Sequence, residues 1–364
     1  MKVLLAHPGA SWSTADVFDG LNYGLQQLGV EVQHYRLDTR LEASANALHA
    51  LWRKRKKAQP DLPKPNNVDI VYHAGVGIVE AALRWQPDVV LIVSAMFLHP
   101  DVVLMLKRAR QRVCVLFTES PYDHAEELKI AAMVDGCWTN ERACLPDFRA
   151  VNPRSGYLAH GWHPLKHGPH PLDLGVGVRA HDVVFVGSFF PERVEFFNAI
   201  DWTGIDLGIY GTWKGLGLKK QVRACCYGDQ IENVYASALY RAAKIGLNLY
   251  RTRGSKRLPL THADGRRLVP ESLSPRAYEL AACGAFSISE ARAEVSEVFG
   301  ERVPTFSTAA EASVLMRTWL QDDSGRRQMA AELPACVAEA SWVERAKTVA
   351  GDLQRLMMTQ PIAA

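Results

Sequence analysis

Residues 270–286 read Pro270-Glu271-Ser272-Leu273-Ser274-Pro275-Arg276-Ala277-Tyr278-Glu279-Leu280-Ala281-Ala282-Cys283-Gly284-Ala285-Phe286, with two glutamates eight positions apart. Ser274 followed by Pro275 predicts an N-cap with proline in the first helical turn, and Gly284 predicts the C-terminal stop. A short helix therefore leads into a buried strand over 285–289. At about 1.5 Å of rise per residue, Glu271 falls in the loop ahead of the helix and Glu279 falls inside it. The competing reading is an amphipathic helix carrying two solvated carboxylates.

Outward from this helix, strand and helix signals alternate along the chain. Segments 3–6, 30–35, 68–72, 88–94, 113–117 and 136–139 read as strands separated by helix-length stretches, which implies a parallel sheet with right-handed crossovers. Ligands of such sheets gather beyond the carboxyl ends of the strands. The loop 7–13, holding Gly9, Ser11 and Ser13, is too poor in glycine for a dinucleotide fingerprint. Glu119 and Asp123, after 113–117, are the acidic candidates of this half. Such carboxylates either hold an acceptor hydroxyl and take its proton, or support the start of the following helix.

A second α/β segment opens at 182–193 with a strand, Gly187 and a helix start. Glycine there lets the backbone approach a phosphate, and Arg193 is placed to add a charge-assisted bond. Strand 206–210 ends in Tyr210-Gly211, and a helix over 234–243 runs into a strand carrying Asn248. Arg251, Arg253, Lys256, Arg257, Arg266 and Arg267 then crowd the loop before Glu271, either as a cationic wall beside a phosphate site or as a solvated loop.

With 364 residues, 48% apolar and 22% charged, the chain suits two globular domains. A net charge of +3 is too small to argue for nucleic acid by itself. Seven cysteines without a CxxC pair fit a reduced compartment, and the short apolar N-terminus reads as a first strand, so a cytoplasmic location without a membrane span is expected. The run Arg53-Lys54-Arg55-Lys56-Lys57 reads as a solvated helix end or as a polyanion site. His160, His163, His167 and His170 are interleaved with glycine and proline, which forbids the regular helix their spacing would need to hold a metal. Asp322-Asp323 lies far along the chain, and no metal or cofactor is expected.

The spacing of Glu271 and Glu279, with the Leu-Ala-Ala-Cys-Gly-Ala-Phe that follows, resembles the E-x7-E element of retaining glycosyltransferases of the GT-B fold. The narrower likeness is to CgeB/YkvP-like glycosyltransferases, carried by Ser274, Arg276, Tyr278, Glu279, Ala282, Cys283, Gly284 and Ala285. Tyr240, Ala243, Lys244, Ile245, Leu247, Asn248 and Arg251 fit a further pattern of that family. Glu119-Ser120-Pro121 departs from it, since relatives carry aspartate at the first place.

The resemblance implies two facing Rossmann-like domains: 1–165 on the acceptor side, a linker 166–180, a nucleotide-sugar domain 181–340, and a crossing helix and tail 341–364. It implies transfer of a sugar from a nucleotide-diphosphate donor to an acceptor, protein or modified nucleic acid, with retention. Alternatives are a sugar-nucleotide epimerase or hydrolase of the same fold, and a non-catalytic polyanion-binding module. Glu271 would hold donor-sugar hydroxyls, Glu279 the ribose, and Arg193, Arg251 and Arg276 the diphosphate. Gly187, Ser188, Tyr210, Gly211, Asn248 and Ser274 complete the donor set, and Gly9, Ser11 and Ser13 form the acceptor-side loop.

Overall fold

The computed structural model describes residues 1–9, 14–168, 177–213, 217–228, 231–254 and 258–359. They divide into two α/β units, Met1–Ala159 with Leu260–Val269 and Val343–Ala364, and His160–Pro259 with Pro270–Trp342.

In unit 1 the apolar runs expected of a doubly covered parallel sheet are buried throughout, as in β3 (Val89–Val93) and β4 (Val113–Phe117). The sheet order is β2 (Glu31–Arg36), β1 (Lys2–His7), β3, β4, β5 (Gly136–Thr139), β6 (Ser155–Tyr157), with every pairing parallel. Helices α1 (Ala15–Gln27), α2 (Leu37–Lys56), α3 (Asn67–Trp85), α4 (Pro100–Arg108), α5 (His124–Ala131) and α6 (Leu145–Val151) connect the strands. The chain returns to this unit in α15 (Trp342–Met357), where Asp352 accepts from Trp138 Nε1 at 2.8 Å and the Leu356 carbonyl accepts from Arg112 at 2.7 Å.

One sequence expectation fails here. The segment 68–72 is the start of α3, not a strand. Asn66 Oδ1 accepts from the Val68 and Asp69 amides while Asp69 accepts from the Asn66 amide, a reciprocal cap that starts the helix and leaves Val68 60% exposed.

Unit 2 orders its parallel strands β11 (Thr305–Phe306), β10 (Ser287–Glu290), β9 (Ile245–Asn248), β7 (Val183–Val186), β8 (Leu207–Tyr210). Its helices are α7 (Pro164–His167), α8 (Pro191–Ala199), α9 (Lys220–Arg223), α10 (Asn233–Ala242), α11 (Pro275–Ala282), α12 (Ala293–Phe299), α13 (Ala309–Gln321) and α14 (Asp323–Cys336). Phe185, Phe197 and Trp213 pack edge to face within one core cluster, while Val184, Tyr210, Leu239, Tyr240 and Leu280 form another. The predicted helix is α11, which ends ahead of Gly284 at φ +62°. It sits close on β9 because a Cβ at Gly246 would lie 2.3 Å from Leu280.

The expected linker begins within this unit. Trp162 pairs with Ser341, and Arg241 bonds the carbonyls of His167 and Gly168 at 2.8 and 2.6 Å, capping α7. Among the described residues no helix is long and apolar enough to cross a membrane.

Candidate active site

The residues after β7, β8 and β9 form one hydrogen-bonded network. The Gly187 amide donates to the Tyr210 carbonyl at 2.8 Å, and Gly211, at φ +127°, passes so close that a Cβ would lie 2.4 Å from the Gly187 carbonyl oxygen. Only glycine fits that close approach. Arg276, in the first turn of α11, donates from Nε to Val186 O (2.6 Å) and from Nη1 to Leu249 O (3.1 Å) and Asn248 Oδ1 (3.3 Å). Its Nη2 stands where a Cβ of Gly187 would be, 2.4 Å from that point, and has no hydrogen-bond partner among the described residues.

Arg193 is 8% exposed and gives its fork to Ser188 O at 2.8 Å and Leu249 O at 3.1 Å, so it clasps the strand ends. Arg251 lies over the Phe190 ring at 4.5 Å, a ring that Arg193 also faces at 4.8 Å. Ser274 is the N-cap residue of α11 by position, yet its hydroxyl does not cap. It donates instead to Asn248 Oδ1 at 2.8 Å, and the Asn248 amide donates to Ser289 Oγ at 2.9 Å.

The two glutamates occupy different environments. Glu279 is 7% exposed, and Oε1 accepts from Asn233 Nδ2 at the start of α10 at 3.3 Å. The reading of two solvated helix acids therefore fails, since burying a carboxylate costs free energy that a surface acid never incurs. Glu271 is half-buried in a segment clamped by the start of α12. Its carbonyl accepts from the Glu294 amide (3.1 Å), Glu294 Oε2 accepts from Leu273 N (2.8 Å), and Arg292 donates to Ser272 O (2.7 Å). Tyr210 turns its side chain away from the turn: its hydroxyl meets His181 Nε2 at 2.9 Å, and burial pushes its pKa up to about 12.

In unit 1, Gly9 has φ +102°, and a Cβ there would fall 1.9 Å from Asp38 Cγ, so glycine is again obligatory. Ser11, Ser13, Lys256, Arg257 and His170 lie outside the described residues. Glu119 is half-buried beyond β4, and its amide donates to Glu127 Oε1 at 3.1 Å. The Ser120 hydroxyl bonds the other oxygen of Glu127. Burial, reinforced by the charge of Glu119 against the Ser120 hydrogen bond, raises Glu127 to about 8. Asp123 holds the N-cap position of α5 without a side-chain cap bond. At the end of β1, His7 stacks on Phe18 at 3.7 Å, and burial with neighbouring His34 lowers it to about 4.

Several residues fall elsewhere. Arg266 and Arg267 belong to unit 1, and Arg266 pairs with Asp264 at 2.7 Å. His163 and His167 spend ring nitrogens on the Leu165 and His163 amides, and among the described residues no group of three or more ligating side chains comes together. Arg53–Lys57 are all exposed at the end of α2 and form no ion pair among the described residues. Sequence reasoning missed Asn233, Glu127, Arg292 and Glu294. Nothing in a sequence separates buried Glu127 from exposed Glu126 except its place on the inward face of α5.

Residues 193–351 match the family described as Glycosyl transferase-like, a span that includes both glutamates. No curated protein matches the chain. A solved trehalose-6-phosphate synthase superposes over 100% of both chains with a TM-score of 0.64 at 10% identity. A structure described as trehalose-6-phosphate from E. coli bound with UDP-2-fluoro glucose does so with a TM-score of 0.61 at 10% identity, again over 100% of both chains. The synthase from Burkholderia multivorans gives 0.60 at 11% identity over 98% of this chain and 99% of that one. The fold is GT-B, with two sheets of parallel strands. With a glycosyl transferase-like domain over 193–351, the chain is an enzyme of the transferase class.

Proposed function

We propose that the protein moves a sugar from a nucleoside-diphosphate sugar held by unit 2 to an acceptor hydroxyl held by unit 1, with retention of configuration at the anomeric carbon. The observation that carries this reading is Arg276. Three bonds pin its guanidinium, and the remaining nitrogen stands beside the Gly187 turn, the position a diphosphate needs from a cation. When the bond from the anomeric carbon to the diphosphate oxygen breaks, negative charge grows on that oxygen, and a cation fixed in advance favours the transition state over the ground state.

Glu279, buried and oriented by Asn233, takes the ribose hydroxyls, and Glu271 takes hydroxyls of the sugar. Arg251 completes the cationic side. Arg193 acts through position, holding Ser188 and Leu249 so that the Gly187 amide and Arg276 keep their places. Glu119, with its backbone fixed by Glu127, receives the acceptor's proton or orients its hydroxyl, and Asp123 lies one helical turn further on. The charge that a divalent ion would supply comes from arginine, so chelation leaves turnover unchanged.

A UDP-sugar is the first donor to test, because one similarly folded protein holds a UDP-fluoroglucose. The narrower CgeB/YkvP-like assignment rests on residues 274–285 and points to a protein or modified nucleic acid as acceptor. Purified protein incubated with a panel of nucleotide sugars, followed by mass spectrometry, tests the proposal. Release of nucleoside diphosphate with a hexose-sized mass gain on an acceptor is the expected result. A panel that stays intact contradicts it.

A further inference from the structure

Helix α2 of unit 1 runs past the last of its residues that pack. Leu37, Leu41, Ser44, Leu48 and Trp52 lie on its inward stripe, buried or half-buried, and from Arg53 to Asp61 every residue is exposed. The five successive cations Arg53 to Lys57 occupy this overhang, and at about 3.6 residues per turn they circle the helix axis. Six cations and one acid, Asp61, stand between Arg53 and Lys64, so the stretch carries +5, the whole chain +3 and the remainder −2.

Arg84, Lys129 and Lys347, also exposed in unit 1, each meet an acid: Glu80 and Glu126 at 2.7 Å, Glu344 at 2.6 Å. Arg53–Lys57 form no ion pair among the described residues. Arg53 and Lys57 stand four positions apart, Arg53 and Lys56 three, and like charges at these spacings destabilise a helix. The helix dipole favours cations in the last turn, but it gives no reason for five that repel one another. A bound polyanion removes that repulsion.

The overhang is fixed in place. The Ala58 and Gln59 amides both donate to Arg55 O at 3.0 Å, and Leu62 N donates to Gln59 O at 3.1 Å. Trp52 Nε1 donates to Leu62 O at 3.0 Å, which folds the following turn back on the helix, and Lys56 lies over the Trp52 ring at 4.7 Å.

We propose that the end of α2 is a docking surface for the phosphate backbone of a double-stranded nucleic acid, bound without regard to sequence. A duplex carries about one negative charge per 1.7 Å of axis, and cations that displace its counterions bind it whatever its bases. Single strands are held by aromatic rings free to stack on bases, whereas Trp52 is half-buried, lies under Lys56 and is bonded to Leu62 O. A helix lying in a bilayer surface keeps an apolar face beside its cations, and these cations surround the axis. The docking is carried by unit 1 alone and does not rest on the transferase reading.

Fluorescence anisotropy of a short, labelled duplex DNA of mixed sequence, titrated with the full chain, tests this. Two triple variants lower the net charge equally: Arg53→Ser, Arg55→Ser and Lys57→Ser in one, Arg84→Ser, Lys129→Ser and Lys347→Ser in the other. Wild type should bind, and with about three phosphates engaged its affinity should fall about fortyfold between about 50 and 200 mM salt. The first variant should melt like wild type yet lose at least about tenfold in affinity and most of the salt dependence, while the second stays within about twofold. One strand of the same DNA, unpaired, should bind more weakly than the duplex.

No binding by wild type at about 50 mM salt overturns the proposal, and so does an equal loss in both variants, which would reduce the binding to net charge. Tighter binding of the single strand overturns the duplex assignment. Co-sedimentation with phosphatidylserine vesicles that the first variant loses, with DNA ignored by wild type, overturns the nucleic acid and gives the surface to a membrane.

Discussion

At the ends of β7 and β9 the carbonyls of Val186, Ser188 and Leu249 are taken by two arginines, whereas at the end of β4 the Glu119 amide and the Ser120 hydroxyl are taken by a single carboxyl, Glu127. Both arrangements satisfy strand ends that would otherwise leave polar groups buried and unpaired. They differ in what they do with charge. Guanidinium stays protonated at every working pH, so the unit 2 network keeps its form. Glu127 is a carboxyl held near its neutral form beside a second acid, so the unit 1 loop responds to pH.

The comparison breaks most visibly at Arg193. Replacing it with alanine strips bonds from two carbonyls and empties a site that is 8% exposed, and should cost about 3 kcal/mol or more in urea unfolding. A loss below about 1 kcal/mol would mean that the clasp is not structural. Arg276→Ala comes next: UDP binding by calorimetry should weaken by about 1.5 to 3 kcal/mol, the value of a charge-assisted bond. Equal affinity would misplace the phosphate site.

Glu127→Gln sharpens the contrast in pH. Folding raises its carboxyl from 4.5 to about 8, so the folded state holds the proton that the unfolded state releases. Its contribution is full below the unfolded value and is lost as pH rises towards the folded one, with a slope of up to about 1.4 kcal/mol per pH unit. Buried His7 and His167, lowered to about 4 and 3, act in the opposite sense below their ordinary value of 6.5. The Glu127 effect is therefore cleanest between 6.5 and 8. Thermal melts of Glu127→Gln should show a flatter profile there than wild type, and parallel profiles would refute the assignment. The smallest effect belongs to the exposed Arg53–Lys57 run, where serine replacements should change stability by less than about 0.5 kcal/mol.

What the residues disclose in advance follows from how local the physics is. The helix over 275–282 and the glycine turns at 187 and 211 were readable because proline, glycine and strand periodicity act within a few residues. The error at 68–72 came from trusting β-branched valines over the Asn66–Asp69 cap, an equally local signal. Other features are tertiary. That Ser274 turns to Asn248 instead of capping its helix, that Arg266 and Arg267 sit on unit 1, and that Glu279 is buried against Asn233 depend on elements tens of residues away.

The central claim, that Glu271 and Glu279 hold two parts of one donor, is tested most directly by steady-state kinetics on Glu271→Gln and Glu279→Gln, with folding checked by melting. Glu271→Gln replaces an anion beside a sugar whose anomeric carbon becomes cationic, so turnover should fall about a hundredfold with donor KM nearly unchanged. Glu279→Gln, remote from the breaking bond, should raise donor KM about tenfold with turnover changed much less. Near-wild-type constants in both, or the same loss of turnover in both, would contradict the account.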